Sequence, residues 1–329
     1  MSLDRRAWLR YTGSLLATGG LVPAALAQSA AWPARPLRMV VPFPPGVPID
    51  ILLRAIGPRL TETFKQPVLV ENKPGAGANI GIDYVARSPA DGYTILSTAS
   101  NFAANPSLYA KVNYDPLKDF TPVLGLIKTP AVLMVAGDSP IMTVADLIAR
   151  AKADPAAIKY ASGGSGTLAH FAAEMLKTGG DFQALHVPYK SGPEMMTSLL
   201  SKSTDFAMPV AASTLSQIQA GRFRALAVTS VKRMAQLPNV PTMHEALGRG
   251  GFDLESENGL VVPAGTPADI VRRLHQEIVR IMRDPAIADP LIAQGYEIVA
   301  NTPAEFGATV RSDVQKYAAL IQRLGLKVD

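Results

Sequence analysis

The chain has 329 residues, 48% of them apolar and 18% charged, with a formal net charge of +5 and no cysteine. Such a composition builds a packed core and excludes a disordered chain, while the missing cysteine excludes disulfides, thiolate metal sites and cysteine nucleophiles. Residues 1–27 carry Arg5, Arg6, Arg10 and Asp4; the rest holds 29 basic and 26 acidic residues, a net +3 without a basic run, which argues against nucleic-acid binding.

The N-terminus reads as an export signal. MSLDRRAWLR is positively charged, YTGSLLATGGLVPAALA is apolar, and Ala25-Leu26-Ala27 forms an A-x-A cleavage site, the order expected of a signal peptide and not of a membrane anchor. Arg5-Arg6 followed by Ala7-Trp8-Leu9-Arg10 is similar to a twin-arginine signal, with Trp8 where Phe is usual; an ordinary Sec signal is the alternative. No other segment reaches the ~18 apolar residues needed to span a bilayer. The mature chain, from about Gln28, is expected in the periplasm.

From there strand and helix patterns alternate. Strands are expected at 37–43, 67–70, 93–97, 123–127 and 131–136, with helices at 51–64 and 79–87. The alternation restarts after Asp138: helix 143–152 capped by Thr143, strand 159–161, helix 167–178, strand 184–188, helix 193–200, strand 205–208, helix 211–220 and strand 224–229. The rest reads as mostly helical. Thr266-Pro267-Ala268-Asp269 opens a helix with Ile270, Leu274, Ile278 and Ile281 on one face. Thr302-Pro303-Ala304-Glu305 is a capping box before the stripe Phe306, Val310, Tyr317, Ile321 and Leu324. This order predicts an α/β protein with parallel sheets, wound in two units and therefore two domains. With no Gly/Ser-rich linker, the units are expected to be joined by crossing strands near 129–136 and 229–257.

In open α/β sheets ligands bind at the carboxyl ends of strands. Three such ends share a design: PPGVP after the first strand, ENKPGAGAN after the second and SGGSGT after 159–161. Each is built of small residues and delivers a helix N-terminus, whose unpaired amides and partial positive charge favour anions. Tight turns and close packing are the alternative use of the same residues. PGAGANIG lacks the Gly-Lys-Ser/Thr of a P-loop, and neither it nor Gly163, Gly164 and Gly166 matches G-x-G-x-x-G, so nucleotide binding is not expected. The histidines, His170, His186, His244 and His275, form no close ligand pair, so no metal site is expected. His170 can reach a cleft from a helix start, or serve as a structural histidine, as can His186. Asp50 sits in the first turn after the proline loop, where satisfying helix amides is its alternative role. No Gly-x-Ser-x-Gly elbow is present.

Taken in order, WPARPLRMVVPFPPG, ENKPGAGANIG, ADGYTIL, NPSLY, YDPLKDFTPV, YASGGSGTLAHFAAE, HVPYKSGPE, GRFRALAVTS, LPNVPTMHEA and GLVVPAGTP resemble the extracytoplasmic solute receptors of tripartite tricarboxylate transporters, the Bug-type receptors. The resemblance covers nearly all of the mature chain. It implies a type II periplasmic binding protein-like fold: two α/β domains, 33–131 with 254–329 and 132–253, closing on a ligand. It implies a small carboxylate ligand handed to transporter membrane subunits, a monomer, no cofactor, no metal and no catalytic residues. The matching positions put Phe43, Pro45, Gly46, Val47, Ile49 and Asp50 at the first loop, Gly77, Ala78 and Asn79 at the second, and Ser100 and Asn101 after the third strand. In the second domain they are Ser162, Ser165, Gly166, Thr167 and His170, then Tyr189 with Lys190, and Pro209.

The chain departs from that pattern where Val47 replaces a glycine, Ile49 a hydroxyl residue, Ala78 a common glycine and Pro209 a frequent aspartate. Val tolerates positive φ poorly, so strain is expected at Val47, a lost donor at Ile49, and a ligand more apolar than the usual dicarboxylate. Two other functions fit a binding cleft: a sensor that presents a carboxylate to a histidine kinase, and a hydrolase or isomerase using Asp50, His170 or His186, which needs a base within ~3 Å of a nucleophile.

Overall fold

The computed structural model describes residues 32–250 and 252–328; the expected export signal lies outside them. The predicted alternation is present, in two sheets. The first winding unit runs β1 (Leu37–Val41), α1 (Pro48–Phe64), β2 (Val68–Asn72), α2 (Asn79–Ala86), β3 (Thr94–Thr98), α3 (Ser100–Leu108) and β4 (Phe120–Pro130). The second runs β5 (Val132–Ala136), α4 (Val144–Ala153), β6 (Lys159–Ser162), α5 (Leu168–Gly180), β7 (Leu185–Pro188), α6 (Gly192–Leu200), β8 (Phe206–Ala207), α7 (Leu215–Gln219), β9 (Phe223–Val228) and α8 (Met243–Leu247). The chain then returns through β10 (Glu255–Pro263), α9 (Ala268–Met282), α10 (Pro285–Ala293), β11 (Glu297–Ile298) and α11 (Pro303–Leu324).

The sheets are mixed, which corrects the expectation of parallel ones. The first has the order β11-β4-β10-β3-β1-β2 and the second β7-β6-β8-β5-β9. β1 is parallel to β2 and β3, but β10 is antiparallel to both β3 and β4. β6 is parallel to β7 and β8, but β5 is antiparallel to β8 and β9. The antiparallel members are the strands that carry the chain between sheets. β4 leads into β5 across Ala131 alone, and β10 brings the chain back after β9.

These crossings are tied together. The Ala131 amide donates to Thr229 Oγ1 at 2.9 Å, the Thr229 amide donates to Ala131 O at 3.0 Å, and Thr229 Oγ1 donates to Leu254 O at 2.5 Å. Thr229 and Ala131 have no exposed surface, so these bonds stand without competition from water.

Helix stripes set the packing. Ile270, Leu274, Ile278 and Ile281 of α9 are buried against α1 on one face of the first sheet, sharing a core with Leu52, Leu53, Ile56 and Leu60. α11 straddles the sheets. Phe306 and Val310 pack with Val40, Leu96 and Phe102 of the first unit, while Tyr317, Leu320 and Ile321 join Tyr160, Phe171 and Leu176 of the second. Each fully buried side chain of this kind contributes roughly 1.5–3 kcal/mol, so α11 fastens to both units.

Candidate ligand-binding cleft

The parallel strands β1 and β2 end on loops 42–47 and 73–78, and β6 and β7 end on loops 163–167 and 189–191. The first loop is fixed by one carboxylate. Asp50, 2% exposed, accepts the Gly46 amide at 2.8 Å, Arg54 Nε at 3.1 Å and Asn72 Nδ2 at 3.0 Å. Asn72 Nδ2 also reaches Phe43 O at 3.1 Å, and Arg54 Nη2 reaches Asn72 Oδ1 at 2.7 Å. Burial alone would raise the Asp50 pKa, but the bonds from Arg54, Gly46 and Asn72 outweigh it and hold the carboxyl below its ordinary value. Asp50 is thus spent on the loop.

The strain expected at Val47 is absent. Val47 caps α1 with extended backbone, φ −70° and ψ 155°, and the positive φ falls on Gly46, at +87°. Val47 instead offers its side chain to the cleft. Ile49 is 4% exposed and packs into the first sheet's core, so it neither lines the cleft nor deprives it of a donor.

The second loop carries four successive positive φ values: Gly75 +128°, Ala76 +47°, Gly77 +61° and Ala78 +84°. Ala78, at 3% exposure, adopts the glycine-like backbone despite its methyl group, a local cost of order 1 kcal/mol. Gly77 has no such choice, because a Cβ there would run into Tyr109 Oη. Asn101 Nδ2 and Asn105 Nδ2 both donate to Gly77 O, at 3.2 and 2.8 Å, and Asn79 Oδ1 accepts from Asn105 Nδ2 and Tyr114 Oη. Asn79 and Asn101 hold the loop in place.

The loop after β6 rests on a stack of aromatic rings. Ser162 Oγ lies 2.7 Å from His186 Nε2, and the Gly164 amide donates to Ser162 Oγ at 3.1 Å. The Gly166 amide donates to His170 Nδ1 at 3.3 Å, which makes Nε2 the protonated nitrogen of His170. His170 stacks on His186 with centroids 4.4 Å apart, and His186 on Tyr160 at 4.7 Å. Tyr160 Oη donates to Glu174 Oε1 at 2.5 Å, and Lys177 Nζ sits 2.8 Å from the same oxygen. Burial depresses the pKa of His170, and burial and then the neighbouring His170 push that of His186 down to about 4, so both rings are neutral at pH 7.

The Ser162–His186 pair has the distance of an activated nucleophile but not its accessibility. Ser162 has no exposed surface, its hydroxyl is engaged with Gly164, and among the described residues no carboxylate bonds to His186. It shapes the loop. Ser165 is half-buried, and among the described residues its side chain makes no hydrogen bond. Thr167 caps α5 by accepting the His170 amide at 3.4 Å.

Ser100 Oγ donates to Gly166 O at 3.4 Å, and Gly166 lies against Asn101, Asn105 and Leu108, so the loops of the two units meet at α3. Tyr189 is half-buried beside Gly164. Pro209 is buried, and its carbonyl accepts the Val132 amide at 2.9 Å.

A cleft of about 950 Å³ falls within the range of small-molecule sites. It is lined by Pro45, Gly46 and Val47 of the first loop, by Lys190 to Pro193, by Leu215 and by α10. The sequence-predicted residues of the second and third loops gather around α3 and are not part of that lining. Lys190 is the single charged lining residue, and among the described residues it makes no ion pair. Ile51, Met196, Leu215, Ile287 and Leu291 line the cleft and were not foreseen. The available signal was Asp284-Pro285, an N-cap followed by proline: Asp284 Oδ1 accepts the Ala286 amide at 2.9 Å and opens α10.

Residues 52–326 match the family model described as Tripartite tricarboxylate transporter family receptor. The chain is 33% identical to Protein BugT of Bordetella pertussis over 324 residues, 97% of this chain and 98% of that protein. It superposes on a structure of R. palustris Rpa4515 with adipate with a TM-score of 0.84 and 31% identity, covering 90% of this chain and 99% of the other. The periplasmic binding protein BugD gives a TM-score of 0.83 and 34% identity over 90% of this chain and 99% of its own.

Proposed function

Because the chain belongs to the tripartite tricarboxylate transporter receptor family, we propose that it is a periplasmic, non-enzymatic receptor that captures a small organic acid between its two sheets and delivers it to transporter membrane subunits. The observation that carries this reading is the lining of the cleft: loops from both units face one space whose single charged residue, Lys190, is cationic. Adipate held by a relative at 31% identity supports the same ligand class, and among the described residues no helix is long and apolar enough to cross a membrane. The moving bodies are 33–131 with 254–329 and 132–253, the hinge is the Thr229-tied pair of crossings, and the receptor acts as a monomer. A ligand favours the closed form only as far as it binds that form more tightly.

Thermal-shift titration of residues 28–329 with mono-, di- and tricarboxylates tests the proposal. An acid at 100 times its Kd adds about 2.7 kcal/mol of stability. At least one acid should give a saturable shift that Lys190→Met weakens; the absence of a shift with every acid overturns the reading.

A further inference from the structure

The cleft is not shaped for a compact polyacid. α10 (PAIADPLIA) has one charged residue in nine, and none of its residues is buried. Helices this apolar ordinarily lose their apolar side chains to a core. Here Ala286, Ile287, Pro290 and Leu291 line the cleft, although Ile287 and Leu291 also pack partly against the first unit's core. Ile51 on the first turn of α1, 59% exposed, Met196 and Leu215 belong to the same lining. No Asp or Glu lines the space. Lys190 is the one charged residue of the lining, and next to it Tyr189 places its carbonyl against Gly164.

The cleft therefore combines one cation with a predominantly aliphatic lining and no anion. We propose that the ligand is an amphipathic monocarboxylate with a linear aliphatic tail: the head pairs with Lys190, and the tail lies along Ile51, Met196, Ile287 and Leu291. A second carboxylate at the far end would have to shed its water against α10 without a partner, which is costly. Exposed apolar surface on a helix also suits a protein partner, but a concave space of this volume closed by three elements and bearing one cation fits a small amphipathic anion. The inference rests on the receptor reading and specifies its ligand.

The test is a calorimetric titration of residues 28–329 with butanoate, hexanoate, octanoate and decanoate, and with adipate and suberate as doubly charged partners of hexanoate and octanoate. Each added methylene should tighten binding about fourfold until the trough is full, and each monoacid should bind more tightly than the diacid of its length. Ile51→Asn, at an exposed position outside the core, and Leu291→Asn should flatten that slope. A flat series in the unaltered protein, or tighter binding of the diacids, overturns the inference, leaves the receptor reading intact and assigns the α10 face to a protein partner. Binding of no acid, diacids included, overturns both.

Discussion

The two lips of the cleft are built from opposite chemistries. The 42–50 lip is held by an ionised carboxylate: Asp50 gathers Gly46, Arg54 and Asn72, and its charge is stabilised because every donor points at it. The 162–170 lip is held by neutral rings, with His170 and His186 stacked over Tyr160 and kept uncharged by burial. Rigidity in a binding loop thus needs no particular residue type. It needs every buried polar atom to have a partner, and the partner chosen decides which perturbation releases the loop.

The sharpest way to break the comparison is Asp50→Ala. It orphans the Gly46 amide, takes one of the two acceptors from Asn72 Nδ2 and removes a charged acceptor, at about 1.5–3 kcal/mol for such a bond. A loss of about 3 kcal/mol in urea unfolding and weakened acid binding are expected; an unchanged midpoint would mean that the proline loop holds itself.

The second test is pH. The folded-state pKa of His186 lies near 4, below its ordinary 6.5, so the stability tied to the neutral ring is complete above pH 6.5 and is lost as pH falls toward 4. The Asp50 pKa is also depressed, below 3.8, so its share is complete above 3.8 and is lost only at lower pH. Hydrogen exchange at pH 4 should show the Gly164 amide, which donates to Ser162 Oγ beside His186, less protected than at pH 7 while the Gly46 amide changes less. Equal loss at both would erase the distinction.

Tyr160→Phe comes third. It leaves Glu174, 9% exposed, with Lys177 alone, and a destabilisation of about 1–2 kcal/mol is expected by thermal melting. The smallest effects come from a matched pair. Ala78→Gly relieves a positive φ and should stabilise by less than about 1 kcal/mol, whereas Val47→Gly gains no such relief and should destabilise by a similar amount, both read from urea midpoints.

The sequence made the repeating units legible because helix stripes and strand-end loops are local. The α9 stripe, the Thr302 capping box and the three small-residue loops are patterns within a few residues. The direction of a strand is not, which is why mixed sheets were read as parallel. β10 was missed because ESENGLVVP joins a charged half to a short apolar half; Glu255 and Glu257 sit on a strand only because β4 supplies the partner, Lys128 lying opposite Glu257. α3 was hidden by the polar Ser100-Asn101 start and by Pro106 within it. At the cleft the limit was helical phase. Val47, Ile49 and Ile51 are two residues apart, and only the docking of α1 decides that Ile49 enters the core while Ile51 is exposed.

The straddling α11 has a consequence for biogenesis. It is the last of the described elements to leave the ribosome, yet Tyr317, Leu320 and Ile321 complete the core beneath the second sheet. The core of the central segment therefore stays incomplete until α11 has been made, although domains generally fold in order of synthesis. Until then its apolar surface stays open, a window in which a chaperone can still hold the nascent polypeptide.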